Sequence, residues 1–522
     1  MKHWTPLREL SEQEEWIVSR LKRTRKLFAF LREQRHELMD DAFQTELEQM
    51  YRKTGAGEEP VPPALLCMAL ILQGYLRVSD AEAVELTVMD MRWQLVLDWL
   101  GEKKPAFSQG TLQQFRTRLI ANNMDRRLLE RTIELARKAK EFDWKKLPEG
   151  LRVAVDSRPL EGAGRVEDTF NLLGHAARKI AQGAAVLSKR TTEDICSEAG
   201  IPLLLSSSIK AGLDINWSDP KEKDEALNIL VGQVASLCAW VEENRLSEEE
   251  PLRPYLEALA QVRNQNLEEA EDGRTRIRQG VAEDRRVSIE DAEMRHGRKS
   301  KSKRFNGYKE HVATDLDCKL IVACAVTPAN RPEEEATPQM QEDIQHQGFN
   351  IAELSIDRAY VNSDMAAGVI TKGGEVVAKP WRLQNRPNLF TKADFKLNLR
   401  DKTITCPAGQ VEHFEPGEVV EFDPEICGSC PLRSQCTHSA SGGRTVHIAE
   451  DERLQQRLRR LQATKKGRSR LRQRTGVEHR LAHIAARKGS RARYLGKRKN
   501  LYDLRRAAAI QNLETIHRKM AA

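Results

Sequence analysis

Long hydrophobic runs are absent from this sequence. No segment approaches the roughly 20 uninterrupted apolar residues that a membrane-spanning helix needs. The longest run, ALLCMALILQGYL from Ala64, predicts a buried core helix instead. The first residues, MKHWTPLRELSEQEEW, contain no apolar core of a signal peptide. We therefore expect an intracellular, cytoplasmic protein that does not contact a membrane.

Cysteine is also scarce, with 9 in 522 residues. Five are scattered through apolar segments and four are clustered, which argues against the disulfide framework of a secreted domain. The cluster has the spacing Cys-x20-Cys-x2-Cys-x5-Cys and consists of Cys406, Cys427, Cys430 and Cys436. Four thiolates can close a tetrahedral, structural Zn²⁺ site. We predict zinc here, with His438 as an alternative to Cys436; ligand type alone also admits an iron–sulfur cluster.

Positive charge is in excess and unevenly distributed. Lys and Arg number 85 against 77 Asp and Glu, a formal balance of +8. Residues 452–522 alone hold 22 Lys and Arg against 4 Asp and Glu, and RHGRKSKSKR (295–304) is a second basic run. Phosphate contacts from such residues give affinity for nucleic acid without sequence specificity. The pattern favours a polyanionic partner.

A chain of this length divides into two to four domains, and the first of them reads as helical. Residues 5–142 show apolar spacings of three and four. Pro62 and Pro63 open one helix, and Ser79 with Glu82 predicts a capping box for the next. Ser108 precedes a helix that carries Arg116 and Arg118 on its predicted surface. A helix-turn-helix DNA reader and a plain packing or dimerisation domain fit this pattern equally well.

The remainder reads as an α/β unit with a helical insertion. After a first strand, LRVAV (151–155), residues from about 170 to 290 are again helical in pattern. Four further strands and an intervening helix, EEEATPQMQEDIQHQ, then indicate a mixed sheet. The later strands are predicted at 305–315, 318–327, 349–357 and 373–381.

Two of these strands are predicted to end in an aspartate. Asp156 follows the first strand, and Asp357 ends the strand at 349–357. Open α/β sheets bind ligands at the carboxyl ends of their strands, and Mg²⁺ is held by a few carboxylates together with water and phosphate oxygens. A helix cap or turn role would explain either aspartate alone, but their matching positions favour a shared Mg²⁺ site.

Four blocks of the sequence resemble the core of the DDE transposases of bacterial insertion sequences. The blocks are VDSRPLEGAGRVEDT, MRHGRKSKSKRFNGYKEHVATD, AVTPANRPEEEA and SIDRAYVNS. The resemblance covers most of the chain from about 150 to 520, and the helical region before it is similar to the domain that precedes the core in one branch of these enzymes. It implies an RNase H-like fold in which Asp156 and Asp357 are the first two carboxylates of a catalytic triad.

The third carboxylate, in that family, lies on a late helix with an arginine four residues before it. Glu478 with Arg474 meets this pattern, whereas the family's tyrosine and lysine positions hold Leu471 and Ala485. Glu514 and the run Glu333 to Glu335 are weaker candidates. The DNA contacts implied here are Arg474, Arg487 and Lys488 near the glutamate, and Arg298, Lys299, Lys301, Lys303 and Arg304 in the earlier basic run.

The expected architecture is an α/β RNase H-like core with a mixed five-stranded sheet. Residues 150–170 and 295–381 would form the core, completed by basic helices over 452–522. An all-α N-terminal domain over 1–142, a helical insertion over 170–294 and a Cys-rich zinc-binding insertion over 382–450 would surround it.

The resemblance implies a DNA transposase. Asp156, Asp357 and Glu478 would bind two Mg²⁺ (or Mn²⁺) ions per active site and cleave phosphodiester bonds in double-stranded DNA at the terminal inverted repeats of the element. The 3′ ends would then be joined to target DNA by a homodimer, in a bacterial cytoplasm at the nucleoid. Two alternatives stay open: a DNA-binding protein of the same fold that no longer cleaves, and an RNase H-like nuclease.

Overall fold

A computed structural model describes residues 2–21, 26–52, 59–142, 150–383 and 387–521. The predicted boundary at 143–149 lies outside these residues. No single helix in the described ranges is long and apolar enough to cross a membrane; one pair bent by 104°, Pro63–Leu76 and Asp80–Met89, passes by length and composition only when its two helices are joined.

The helices fall into an N-terminal group, an insertion and a C-terminal group. They are α1 (Glu12–Arg20), α2 (Leu27–Leu38), α3 (Asp41–Glu48), α4 (Pro63–Leu76), α5 (Asp80–Met89), α6 (Met91–Leu97), α7 (Gln109–Ala121), α8 (Met124–Lys138), α9 (Thr169–Ser188), α10 (Thr192–Glu198), α11 (Ile209–Leu213), α12 (Pro220–Glu243), α13 (Arg253–Asn266), α14 (Thr337–His346), α15 (Asp364–Thr371), α16 (Pro424–Gly428), α17 (Glu452–Ala463), α18 (Lys465–Gln473), α19 (Thr475–Lys488) and α20 (Lys497–Met520). Short 3₁₀ segments are Pro202–Leu205, Glu333–Ala336, Arg358–Tyr360, Lys392–Asp394 and Arg433–Gln435.

The strands are shorter on average and cluster in the second half of the chain. They are β1 (Leu151–Glu161), β2 (Leu267–Glu269), β3 (Thr275–Ile277), β4 (Arg295–Arg298), β5 (Arg304–Asp315), β6 (Ile321–Pro328), β7 (Ile351–Ser355), β8 (Glu375–Val377), β9 (Lys396–Asn398), β10 (Thr403–Thr405), β11 (Val411–His413), β12 (Val419–Glu421) and β13 (Thr445–His447).

The N-terminal helices begin where the sequence predicts. Pro63 occupies the first turn of α4, the capping box of Ser79 and Glu82 starts α5, and the Ser108 hydroxyl accepts the Thr111 N–H at the start of α7. The placement of Arg116 on the helix surface was wrong. Its side chain is buried and pairs with Asp80 at 2.5 Å, because α7 packs against α5.

Six of the described strands form one mixed sheet in the order β6-β5-β1-β7-β8, with β4 pairing the first residues of β5. Strands β5 and β6 run antiparallel to their neighbours, while β1, β7 and β8 are mutually parallel. This mixed α/β sheet is compatible with an RNase H-like core. The basic run at 295–304, which carried no strand prediction, supplies β4 and its turn into β5.

The insertion has a hydrophobic core of its own, built from α9 to α13. The helical prediction to residue 290 was too long, since β2 and β3 form a hairpin directly after α13. Two small sheets, β9 to β11 and β12 with β13, surround a separate apolar cluster near the four clustered cysteines. Helix α20 is buried along most of its length and contacts both the N-terminal helices and β6.

Candidate active site

Asp156 and Asp357 extend beyond the same rung of the sheet. In the parallel pair of β1 and β7 the last register partners are Ala154 and Ser355, and each aspartate lies two residues further on. Asp156 is not at the end of its strand as predicted, because β1 continues to Glu161 along its other neighbour, β5. Asp357 does follow its strand, and its carboxylate accepts the Arg358 N–H at 2.8 Å as a helix cap. The two carboxylates therefore emerge at the carboxyl end of the parallel pair.

Helix α19 brings Glu478 to this edge of the sheet. Val477, Leu481 and Ile484 are buried in the cluster that also contains residues of β1 and β5, which fixes the helix on the sheet. Glu478 follows Val477 and remains half exposed. The helix therefore presents an exposed carboxylate next to its buried face, near the edge of the sheet that carries Asp156.

Arg474 joins two of the three carboxylates. One guanidinium nitrogen contacts Asp156 Oδ2 at 2.8 Å, and the other contacts Glu478 Oε1 at 2.8 Å, one helical turn along. Asp357 and Arg474 line the same small cavity, together with Lys379. Arg474 thus contacts Asp156 and Glu478 and shares a cavity with Asp357, although the three carboxylates are separated by about 200 and 120 residues along the chain.

The pKa of Asp156 is raised, chiefly by burial. The Arg474 guanidinium and the Ser157 N–H, which Asp156 Oδ1 accepts at 2.9 Å, act to lower the pKa. The carboxylates of Glu478 and Glu333 act to raise it further. Asp156 is therefore largely withdrawn from water between one cation and two further carboxylates, and its raised pKa is mainly an effect of burial.

Glu333 is a fourth carboxylate at this edge, and the sequence treated it only as a weak rival for the third position. Its Oε1 accepts a hydrogen bond from Ser157 Oγ at 2.8 Å, directly beside Asp156. The signal that could have found it is PEEEA, placed immediately after β6, because β6 and β1 both pair with β5.

A buried network of hydrogen-bonded side chains, formed by His311, Tyr360 and Thr327, lies close to the site. His311 Nδ1 lies 2.7 Å from Tyr360 Oη, and His311 Nε2 lies 2.9 Å from Thr327 Oγ1. Burial lowers the pKa of His311 to about 3, so the imidazole is neutral. Burial, with nearby Glu333 and Asp156, raises the pKa of Tyr360 well above its usual value. Because His311 and Tyr360 are both neutral, this network adds no charge next to the carboxylates.

Asp156, Asp357 and Glu478 have the oxygen donors that Mg²⁺ prefers. Their side chains are not close enough together in this structure to coordinate one ion. Over the described ranges, no group of three or more His, Cys, Asp or Glu side chains is positioned to hold a metal ion. At the acidic edge, the Arg474 guanidinium lies between Asp156 and Glu478 and neutralises part of their charge.

The clustered cysteines line one cavity of about 210 Å³. All nine cysteines are free thiols. Cys406 Sγ accepts the Gln410 N–H at 3.3 Å, and burial raises the pKa of the Cys436 thiol. His438 is exposed and does not line the cavity. The thiols share a cavity without the close grouping of a bound metal's ligands, so zinc at Cys406, Cys427, Cys430 and Cys436 stays a prediction.

The basic run at 295–304 forms the end of a β-hairpin. Arg298 on β4 faces Arg304 on β5 in register, and the Lys299 N–H donates to the Lys303 carbonyl to close the turn. The predicted DNA contacts of this hairpin are all exposed: Arg298, Lys299, Lys301, Lys303 and Arg304. Among described residues, none of their side chains forms an ion pair, so their charges face solvent.

Two other predicted DNA contacts, Arg487 and Lys488, form ion pairs with carboxylates of the protein itself. The Lys488 side chain is 7% exposed, and its ammonium contacts Glu310 at 2.5 Å and Asp503 at 2.8 Å. Arg487 pairs with Glu514 at 2.7 Å. Because both carboxylate partners of Lys488 are buried, its ammonium is not accessible to a phosphate, and we withdraw its assignment to DNA binding. The pairing with Arg487 also accounts for Glu514, the rival third carboxylate.

Two family models match parts of the chain. Residues 20–118, from the N-terminal helices, match a transposase domain (DUF772), and residues 405–517 match a transposase DDE domain. The second match includes the clustered cysteines, Arg474 and Glu478. No curated protein and no solved structure matches the chain.

Proposed function

Since the chain belongs to the DDE transposases of insertion elements, as its two transposase domains indicate, we propose that it cuts DNA at the terminal inverted repeats of its element and joins the 3′ ends to target DNA. The observation that carries this proposal is that Arg474 pairs with Asp156 and Glu478 and lines a cavity together with Asp357. This arrangement connects the rigid sheet with a helix of the matched DDE domain.

The three carboxylates would hold two Mg²⁺ (or Mn²⁺) ions. Such a pair activates a water or a 3′-hydroxyl and stabilises the leaving oxygen of a phosphodiester. The protein's part is positional: β1 and β7 hold the aspartates at adjacent positions, and α19 presents Glu478. Arg474 keeps the anionic edge partly neutral and, when released from Asp156, could pair with a DNA phosphate.

Two exposed basic surfaces support DNA binding around this edge. The hairpin of β4 and β5 carries five cations that form no ion pair with any residue the structure describes. Helix α18, which leads directly into Arg474, exposes Lys465, Lys466, Arg468 and Arg472. The buried charges of α20 do not contribute, since Arg505 pairs with Asp343 and Arg506 with Asp503.

The proposal extends to assembly, to the cysteines and to location. Two element ends must be held together, so we propose a homodimer on DNA that acts at the bacterial nucleoid.

Cys406, Cys427, Cys430 and Cys436 would hold a structural Zn²⁺, which in small folds replaces part of a hydrophobic core. Elemental analysis should find about one zinc per chain, and a chelator should lower the unfolding temperature of the wild type but not of a Cys430→Ser variant.

The decisive experiment is a cleavage assay. Purified protein is incubated with DNA from either side of its reading frame, with Mg²⁺ or EDTA, alongside Asp156→Asn and the control Asp364→Asn. Asp364 is exposed in the first turn of α15, seven residues beyond Asp357. We expect Mg²⁺-dependent cutting that Asp156→Asn abolishes and Asp364→Asn retains.

The same assay tests a second candidate, a DNA-binding protein that does not cleave. The observation in its favour is that Arg474 already satisfies Asp156 and Glu478, while Leu471 and Ala485 replace the family's tyrosine and lysine. Specific binding without any cutting would support this candidate. Cutting in EDTA, or equal cutting by Asp156→Asn, would refute the catalytic assignment.

A further inference from the structure

A second charged cavity lies at the junction of the N-terminal helices with α19 and α20. Its volume is about 280 Å³, several times the ~30 Å³ that one water occupies in the liquid. The charged residues on its wall comprise five cations and one carboxylate: Arg77, Arg487, Lys488, Arg493, Arg506 and Asp503. No predicted function accounts for Arg77 or Arg493.

The floor of this cavity is a rigid network of ion pairs. Lys488 contacts Glu310 and Asp503, and Arg506 contacts Asp503 at 2.7 Å and Gln73 at 3.0 Å. Gln73 belongs to α4, so the network ties the N-terminal helices to α20. Even with the partner carboxylates behind the wall counted, cations outnumber anions. The excess comes from Arg77 and Arg493, because Arg487, Lys488 and Arg506 are balanced by three carboxylates, Glu514, Glu310 and Asp503.

The mouth of the cavity carries two cations without counter-ions. Arg77 caps α4 in the left-handed region (φ 66°) and is exposed. Arg493 is exposed and donates one hydrogen bond to the Val78 carbonyl at 3.3 Å. Neither guanidinium forms an ion pair within the described part of the chain. Asp80 feels the charge of Arg493 but is already paired with Arg116.

Helices α4 and α20 pack closely at a glycine on the wall of this cavity. A Cβ atom at Gly74 would lie 2.8 Å from Ile510 Cδ1 and 3.1 Å from Arg506 Nε. Larger residues would push into the cavity wall. Arg158 connects the network to the active-site strand: it contacts Glu310 and the Gly489 carbonyl, and it lies on β1 two residues after Asp156, on the same face of the strand.

We infer that Arg77 and Arg493 bind a phosphate group at the mouth of this cavity. Guanidinium groups hold phosphate through paired, charge-assisted hydrogen bonds, and the ion-paired floor behind them carries no excess negative charge that would repel it. The source of the phosphate is the backbone of the DNA on which the proposed function acts, or free phosphate. A backbone phosphate held here would connect the transposase domain of the N-terminal helices to the DDE domain through one DNA contact.

The test measures binding without cutting. Full-length Asp156→Ala protein in EDTA is titrated with a labelled duplex of arbitrary sequence at several salt concentrations, alone and with Arg77→Ala or Arg493→Ala added. The control is Lys189→Ala, since Lys189 is also exposed, unpaired among described residues and left-handed (φ 54°) at the end of a helix. A second titration uses inorganic phosphate and calorimetry.

The slope of log affinity against log salt is negative, and each arginine variant should make it less steep by about 0.9, the value for one lost phosphate contact. The control should leave the slope unchanged. Loss of phosphate heat in these variants with an unchanged DNA slope would identify free phosphate as the ligand. Variants that match Lys189→Ala in both titrations would overturn the inference. If the parent protein bound no DNA, the proposed function would fail, and the phosphate titration alone would decide the site.

Discussion

Replacing Lys488 with methionine separates the two roles that this lysine could have. A lysine on the protein surface that contacts DNA would affect binding, whereas a lysine buried between carboxylates would affect folding. The change removes the ammonium that contacts Glu310 and Asp503 and keeps an unbranched side chain that is one atom shorter. Burial acts to lower the pKa of Lys488, but the two carboxylates raise it, so the amine is charged at neutral pH.

The expected loss of folding stability depends on the ion pairs that Glu310 and Asp503 keep after the substitution. Glu310 keeps Arg158 at 2.6 Å and Asp503 keeps Arg506 at 2.7 Å, so each buried carboxylate loses one of two cations. Breaking a buried ion pair costs about 3–5 kcal/mol. Since partial partners persist, we expect the lower end, about 3 kcal/mol, observed as a fall of several degrees in the unfolding temperature.

The assay compares Lys488→Met with Lys499→Met. Lys499 is exposed on α20 and forms no ion pair with a described residue, so its substitution should leave the unfolding temperature unchanged. Both proteins are then titrated with DNA over a salt series, well below the unfolding temperature. Lys488→Met should keep the wild-type salt slope. If Lys488→Met had wild-type stability and a salt slope less steep by about 0.9, the value for one lost phosphate contact, this reasoning would be refuted.

Three further variants, one of them a double substitution, test the site and other charged positions. Glu333→Gln removes a carboxylate that raises the pKa of Asp156, so the acid limb of the pH profile for Mg²⁺-dependent cutting should shift to lower pH; a shift to higher pH would contradict this. Burial raises the pKa of Asp315 from 3.8 to about 6, so the folded state loses stability as the pH rises through that interval. Asp315→Asn should therefore stabilise the protein by about 3 kcal/mol at pH 8 and by about half as much at pH 5, and an unfolding temperature that gains more at pH 5 would exclude this explanation. Joint replacement of Lys301 and Lys303 by alanine should lower the DNA salt slope by about 1.8, and an unchanged slope would remove the hairpin from the DNA path.

Short-range patterns, together with the resemblance to DDE transposases, were the basis on which the three carboxylates were predicted. An apolar run followed by an aspartate predicts a strand and a charge at its edge, and the interval from Arg474 to Glu478 is one helical turn. Both patterns depend on residues that are neighbours along the chain, so they needed no knowledge of the fold. The order of β1, β5, β6, α14, β7 and β8 followed in the same way, whereas β4 and the short strands outside the main sheet were not predicted. The true ends of β1, β7 and β8 were not predicted either, because strand ends depend on the pairing partner.

Contacts between distant segments were decided by the tertiary structure. Ser157 meets Glu333 across 176 residues and Lys488 meets Glu310 across 178, and no local pattern encodes such pairings. A basic run has the same composition whether it faces solvent, as in the β4–β5 hairpin, or supplies counter-ions to buried carboxylates, as around Lys488. The sequence by itself determined which residues could carry charge and chemistry. Only the packing of α19 and α20 against the sheet and α4 decided which charges were neutralised inside, and which, like those of Arg77 and Arg493, were left facing outward.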